Sequence, residues 1–213
     1  MVKTFASGIR YVAGEESFFC PNLYVISGSG GSLLIDVTNQ SSHLEEALSI
    51  AERGGHPFSV ALTHFHADHI SAVASLPKGV RLYCSKNTAR HLPKGLPNPI
   101  TIVSSGAEAI LPLGEAAAKL MAAPSLHSKG SMDILYEKTL FVGDALGSRE
   151  KNGVAYYNRE IAVEMEKFYR GLEFREAVQA HPRTRALKKD ELMVYLHELV
   201  KYGFSEALEE KYL

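Results

Sequence analysis

Cysteine is nearly missing from this chain of 213 residues, which carries only Cys20 and Cys84. Two thiols cannot build a disulfide framework, so a cross-linked scaffold is excluded and a reducing cytoplasm is the natural compartment. Both are expected to be small buried hydrophobes. No run of about eighteen apolar residues occurs, so no helix is expected to span a bilayer. Blocks of like charge are lacking too, and the formal net charge is -1. The electrostatic footprint of a nucleic-acid or anionic-membrane surface is therefore missing, and neither partner is expected. The start, MVKTFASGIRYVAGEESFF, has no basic segment followed by an apolar core, so no signal peptide is read. Repeats, low-complexity tracts and linkers do not occur. With 46% hydrophobic residues there is enough for a sizeable core, and one domain over residues 1–213 is expected.

Strand and helix signals alternate. NLYVISGSGGSLLIDV (Asn22 to Val37) reads as two β runs joined by a glycine-rich turn, with Asp36 near the end of the second. SSHLEEALSIAERGG reads as a helix: Ser42 and Glu45 match a capping box, Leu44, Ala47, Leu48 and Ala51 form one stripe, and Gly54-Gly55 stop it. FSVALT is a buried strand, ISAVASL a short helix and VRLYCS another strand. From about Ile100 to Leu146 β signals dominate, in ITIV, EAILPL, AKLMAAP, MDILYE and TLFVGDAL. NREIAVEMEKFYRGL returns to helix, with Ile161, Met165, Phe168 and Leu172 on one side. EAVQAHP reads as a last strand, and KKDELMVYLHELVKYG as a closing helix built on Leu192, Tyr195, Leu196 and Leu199. Lys188 and Lys189 read as its solvated start. This mixture predicts an α/β fold, a sheet core with helices on its outer faces.

Histidine (nine) and aspartate (five) are scarce, yet LTHFHADHISA gathers His64, His66, Asp68 and His69 directly after the FSVALT strand. Random placement yields this with a probability on the order of a few in ten thousand. In an extended segment residues i and i+2 point the same way, so His64 and His66 present imidazoles to one point in space. As the chain turns into a helix, Asp68 and His69 swing towards a neighbouring point. Imidazole nitrogen and carboxylate oxygen both bind zinc, at about 2.0–2.2 Å. One segment thus starts two adjacent metal sites, whose remaining ligands must come from elsewhere. A purely structural zinc fits poorly, because such sites lean on thiolates and no cysteine lies nearby. The other histidines, His43, His56, His91 and His197, lie without partners nearby in sequence and are expected at the surface.

HFHADH matches the H-x-H-x-D-H signature of the metallo-β-lactamase superfamily, and later segments resemble that family in the expected order. SLHSKGSM resembles its histidine turn and points to His127; TLFVGDAL resembles its strand ending in Gly-Asp and points to Asp144. AVQAHPRT occupies the place of its last histidine, His181, with Ala180 and Pro182 where glycines are usual. SLLIDV is similar to its LIDTG strand, with Asp36 as the supporting aspartate. The resemblance spans about residues 20 to 200. On residue chemistry alone, His181 also suits a turn before proline and Asp36 a strand-end turn. The resemblance implies a four-layer αβ/βα sandwich with metals at one edge. One metal would take His64, His66 and His127; the other Asp68, His69 and His181, with Asp144 bridging and Asp36 behind the ligands. Two divalent ions are implied, zinc first, with manganese or iron as alternatives.

Two such ions among neutral imidazoles and two carboxylates leave excess positive charge, suited to developing oxyanions. Metal binding pulls the pKa of water from 15.7 towards about 7. A bridging hydroxide attacking a carbonyl carbon or phosphorus, held by Asp68 as the catalytic carboxylate, is the expected chemistry. The segments around His127 and Asp144 look like small glyoxalase II-type thioesterases, which implies a thioester or related small-molecule ester. Lactonases of the family often place a tyrosine three residues after the bridging aspartate, where this chain has Gly147. A phosphodiesterase or ribonuclease would call for a basic surface. Flavodiiron-type proteins replace the second motif histidine by glutamate, where this chain has His66. A mononuclear iron dioxygenase and a non-enzymatic metal module are further alternatives. ALGSREKNGVAYYN reads as a loop lining the substrate cleft, with Arg149, Lys151, Tyr156 and Tyr157 as candidate contacts. Arg183 and Arg185 are candidates for a carboxylate or phosphate.

Overall fold

A computed structural model describes residues 2–16, 19–53, 57–147, 149–151, 154–182, 185–205 and 211–212, with 149–151 and 154–155 as backbone only. The first sheet has the order β1 (Val2–Ala6), β2 (Ile9–Val12), β3 (Leu23–Gly28), β4 (Gly31–Ile35), β5 (Phe58–Ala61), β6 (Arg81–Cys84) and β7 (Ile100–Ile102). Strands β1 to β4 form an antiparallel meander, and β4 to β7 run parallel. Parallel neighbours need crossovers. These are α1 (Ser41–Glu52), then α2 (Ala67–Ile70) with a 3-10 turn over Ser71–Ser75, then α3 (Lys86–Ala89).

The second sheet is built from β8 (Glu108–Pro112), β9 (Ala117–Ala123), β10 (Ser131–Tyr136) and β11 (Thr139–Gly143), all antiparallel. After a hairpin, β12 (Arg149–Lys151) and β13 (Val154–Tyr156), the chain enters α4 (Arg159–Arg170). It returns as β14 (Glu176–Gln179), parallel to β11, then β15 (Leu187–Lys188) and α5 (Lys189–Tyr202). No described helix is long and apolar enough to cross a membrane.

Three buried clusters define four layers. Along β3, Leu23 and Val25 face α1, while Tyr24 and Ile26 face the second sheet. On β11, Phe141 points to that middle core, and Leu140 and Val142 point to α4 and α5. Both faces of these strands are covered, which is why they read as near-continuous apolar runs. The expected sandwich with helices outside is the fold observed.

Several local readings change. Helix α1 starts at Ser41 with Gln40 as N-cap and no side-chain cap, so Ser42 lies inside the first turn rather than capping it. Thr38 Oγ1 instead accepts from Gln40 N at 3.4 Å. The expected loop after Asp144 folds partly into the β12–β13 hairpin, and ISAVASL forms a 3-10 turn. Lys189 is no solvated helix start: its ammonium donates to the Leu172 carbonyl near the end of α4 and lies 5.4 Å above the Phe174 ring. His43 leaves the surface as well. Its Nδ1 lies 3.1 Å from the buried Cys20 Sγ, and its Nε2 3.3 Å from Glu15 Oε1. His197 is exposed, and His56 lies outside the described residues.

One core residue conflicts with its surroundings. Asp133 on β10 points to the helical side, where its buried carboxyl meets the Tyr169 hydroxyl of α4 without a hydrogen bond of good geometry. Burial pushes the carboxyl up to about 8, and Tyr169 only partly opposes this. The folded state therefore keeps a proton that the unfolded chain releases near pH 4, so stability should fall as pH rises from about 4 to about 8. Asp133→Asn is expected to remove that slope, at most about 1.4 kcal/mol per pH unit. Urea unfolding of the chelator-treated wild type and variant at pH 5 and pH 8 checks it; equal pH dependence would contradict the assignment.

Candidate metal centre

The C-terminal ends of β4, β5, β11 and β14 meet at one edge of the sandwich, the place where open α/β sheets bind ligands. Thr63 O accepts from Met132 N at 2.8 Å, and Ala180 N donates to Gly143 O at 3.0 Å, stitching these ends together. Gly143 has φ +55, and a Cβ there would lie 2.6 Å from Thr63 Oγ1, so this approach of the two sheets needs glycine.

Beyond β5 the chain stays extended to His66 (φ -66, ψ 149), then α2 begins at Ala67. That switch brings Asp68 and His69 into a second donor group, with the His69 ring still 4.1 Å from that of His64. His127, from the loop between β9 and β10, brings its Nε2 to 2.8 Å from His66 Nδ1. Asp144 follows β11, and its Oδ2 lies 3.2 Å from both His69 Nε2 and His181 Nε2. The same oxygen is 3.6 Å from His127 Nε2 and 3.8 Å from His64 Nε2, so it faces both sets of donors. Asp68 Oδ2 is 3.3 Å from His69 Nε2 and from His181 Nε2. Two groups result, His64–His66–His127 and Asp68–His69–Asp144–His181, each with one donor atom per residue within 4.8 Å of the others.

Hydrogen bonds behind the rings set their tautomers. Asp36, buried and with backbone at φ +63, accepts from Thr63 N (2.7 Å), Thr63 Oγ1 (2.8 Å) and His69 Nδ1 (2.8 Å). The Thr63 hydroxyl, its proton given to Asp36, receives the Nδ1–H of His64 at 3.2 Å. His64, held neutral, then carries a bare lone pair on its buried Nε2, which has no hydrogen-bond partner; the buried Nε2 of His69 faces the Asp144 and Asp68 carboxylates instead. Such an orphaned acceptor costs about 1–3 kcal/mol unless something at that point takes the lone pair. A divalent cation fits the donor set, and holding ligand rings through their second nitrogen is what metal sites require.

Charge supports this arrangement. Burial, followed by the neighbouring His69, lowers His64 to about 2, so it stays a neutral ligand; burial and His127 lower His66 as well. Burial alone would raise Asp68, but hydrogen bonds from His181 and His69 hold it well below the usual range. Burial likewise opposes the ionisation of Asp144, and the adjacent His69 and His181 outweigh it. Against burial, Asp144 and Asp36 lift His69 well above its ordinary value, and Asp144 and Asp68 lift His181 to about 9. Metal uptake at the four-donor group would displace these protons.

The substrate candidates fare differently. Tyr156 is exposed on β13, whereas Tyr157 packs against the core under α4 and α5. Arg185 turns to Glu191, with Nη1 3.1 Å from each carboxylate oxygen. The side chains of Arg149 and Lys151, and Arg183 as a whole, lie outside the described residues. Thr63, invisible as a site residue in the sequence, emerges as the link between Asp36 and His64; its position directly before the first motif histidine was the available signal.

The fold is an α/β sandwich, and at one edge between its sheets lie two groups of residues that could hold metal ions. The profile described as the metallo-beta-lactamase superfamily matches residues 20–156, more than half of the chain, and the chain belongs to that superfamily. No curated protein matches it in sequence. Among solved structures it is similar to the chemotaxis sensor ODP in a peroxy diiron species (16% identity, 99% of each chain, TM-score 0.69). It is similar to the DIM-1 metallo-beta-lactamase (15% identity, 96% of this chain and 98% of that one, TM-score 0.70). It is also similar to the flavodiiron protein of Giardia intestinalis (15% identity, TM-score 0.69), covering 94% of this chain and 59% of that one. At these identities the likeness is one of fold.

Asp36→Ala would strand Thr63 N and His69 Nδ1 in the interior. It is expected to cost about 2–4 kcal/mol in urea unfolding and to weaken metal binding about 10–100-fold. Asp36→Asn, which tolerates the left-handed backbone, should cost less.

Proposed function

We propose that this chain is a metal-dependent hydrolase with a dinuclear centre, zinc before manganese or iron. His64, His66 and His127 hold one ion, Asp68, His69 and His181 the other, and Asp144 stands between them. The substrate is a small molecule with an ester-like bond, a thioester first. The observation that carries this is the buried, bare Nε2 of His64, aimed by the Asp36–Thr63 network into a cluster of seven candidate donors.

Bound there, two divalent ions supply Lewis acidity and bring the ionisation of water towards neutral pH. Asp68, ionised and partly exposed, accepts the proton of an attacking water and orients it. Asp36 and Thr63 keep the rings from rotating. Because His66 is an imidazole where the flavodiiron pattern has a carboxylate, the three-histidine position stays uncharged. The centre then keeps more positive charge for a developing oxyanion.

Elemental analysis together with a panel of thioester, lactone and phosphodiester substrates, with and without chelator, tests the reading. The expected result is two divalent ions per chain and chelator-sensitive thioester cleavage. His66→Ala should lose metal at one position and at least about 100-fold in turnover. Full turnover in that variant would defeat the mechanism, and a single iron without hydrolysis would favour oxygen chemistry.

A further inference from the structure

The helical turn after β6 touches both loops that carry the three-histidine group. Ser85 starts it, its Oγ accepting from Thr88 N at 3.1 Å. Asn87 reaches across 42 positions of sequence to donate from Nδ2 to the Lys129 carbonyl at 2.7 Å, two residues past His127. The loop is pressed against this side chain: a Cβ on Gly130, whose φ is +77, would lie 2.6 Å from Asn87 Cβ. On the other flank, His91 Nδ1 donates to the Asn87 carbonyl at 2.9 Å, which sets the plane of its ring. That ring stacks on Phe65, with centroids 4.2 Å apart and planes 17° from parallel. Phe65 is the residue between His64 and His66, and its edge meets the His66 ring at 4.9 Å. The four-donor group is anchored elsewhere, by Asp36 and the ends of β11 and β14.

We propose that Asn87 and His91 form a clamp that sets the distance between His127 and the His64–His66 pair, so that metal affinity at the three-histidine position, and not at the four-donor position, depends on Asn87. This inference rests on the metal-centre reading above. The physical reason is pre-organisation. His127 sits on a loop, and a loop ligand held by one extra carbonyl hydrogen bond loses less conformational freedom when a metal binds. Asn87 is a positioning residue: it acts through Lys129 and Gly130, and His91 acts through Phe65.

Cobalt(II) titrated into the metal-free full chain, followed by visible absorption, separates the two positions. Wild type is expected to bind in two steps, one of which disappears in His66→Ala and so belongs to the three-histidine position. Asn87→Ala and Asn87→Asp, both lacking the amide donor, should weaken that step by about 10-fold or more and leave the other unchanged. The aspartate variant keeps the side-chain shape and guards against simple misfolding. His91→Phe, which keeps the stack, should retain the affinity, and His91→Ala should lower it. Equal weakening of both steps, or no change in either, overturns the clamp. If wild type takes up no cobalt, the metal-centre reading itself falls, and this inference with it.

Discussion

The buried carboxylate of Asp36 is the interaction on which the site depends. A buried carboxyl group is costly unless its oxygens are hydrogen-bonded. Here both are used, by Thr63 N, the Thr63 hydroxyl and His69 Nδ1. These bonds tie the end of β4 to the end of β5 and to the first turn of α2. They also choose a tautomer for His69 and, through Thr63, for His64. A left-handed backbone at Asp36 is the local strain that puts the carboxylate there.

The two sheets divide the work. Four donors come from one segment after β5, while His127, Asp144 and His181 come from the second sheet. Neither half closes the centre alone, so its geometry is only as good as the packing between the halves. The middle core, with Tyr24, Ile26 and Leu33 against Ile134 and Phe141, supplies that packing. Close to the site, Gly143 against Thr63 and the Thr63–Met132 hydrogen bond fix the separation. An apolar slab behind the donors keeps water from screening their charges. His64 and His66 are held neutral there, and Asp68 and Asp144 stay ionised against His69 and His181.

Asp133 shows the opposite case. It occupies an outer-core position on β10 where its neighbours Met121 and Leu135 are apolar, and the Tyr169 hydroxyl compensates its burial only in part. The same physics that makes Asp36 a support makes Asp133 a weak point. Partners, rather than burial, separate the two.

Local chemistry explains what could be read early. HFHADH was legible because strand and helix periodicities act over a few residues, and they alone place its four donors at two neighbouring points. The layered α/β arrangement was legible from apolar runs for the same reason. His127, Asp144 and His181 entered through resemblance to a family, since nothing in their own surroundings distinguishes a loop histidine from a ligand. His43 was misjudged as a plain surface group, because Cys20, which holds it, is distant in sequence; His91 is exposed as expected, and only its stack on Phe65 was hidden. Helix α1 starts earlier than the Ser42–Glu45 signal implies, with Gln40 as N-cap and the Gln40 N–H donating to Thr38 Oγ1.

By itself, then, the order of residues decided element types, the hydrophobic faces and the nucleus of a metal site, all of which follow from interactions between near neighbours. Tertiary structure decided which far-off side chains complete that site, which ring nitrogen stays bare, and which loop is clamped. Those outcomes depend on distances of about 3 Å between segments far apart in the chain, and only the packed sheets set such distances.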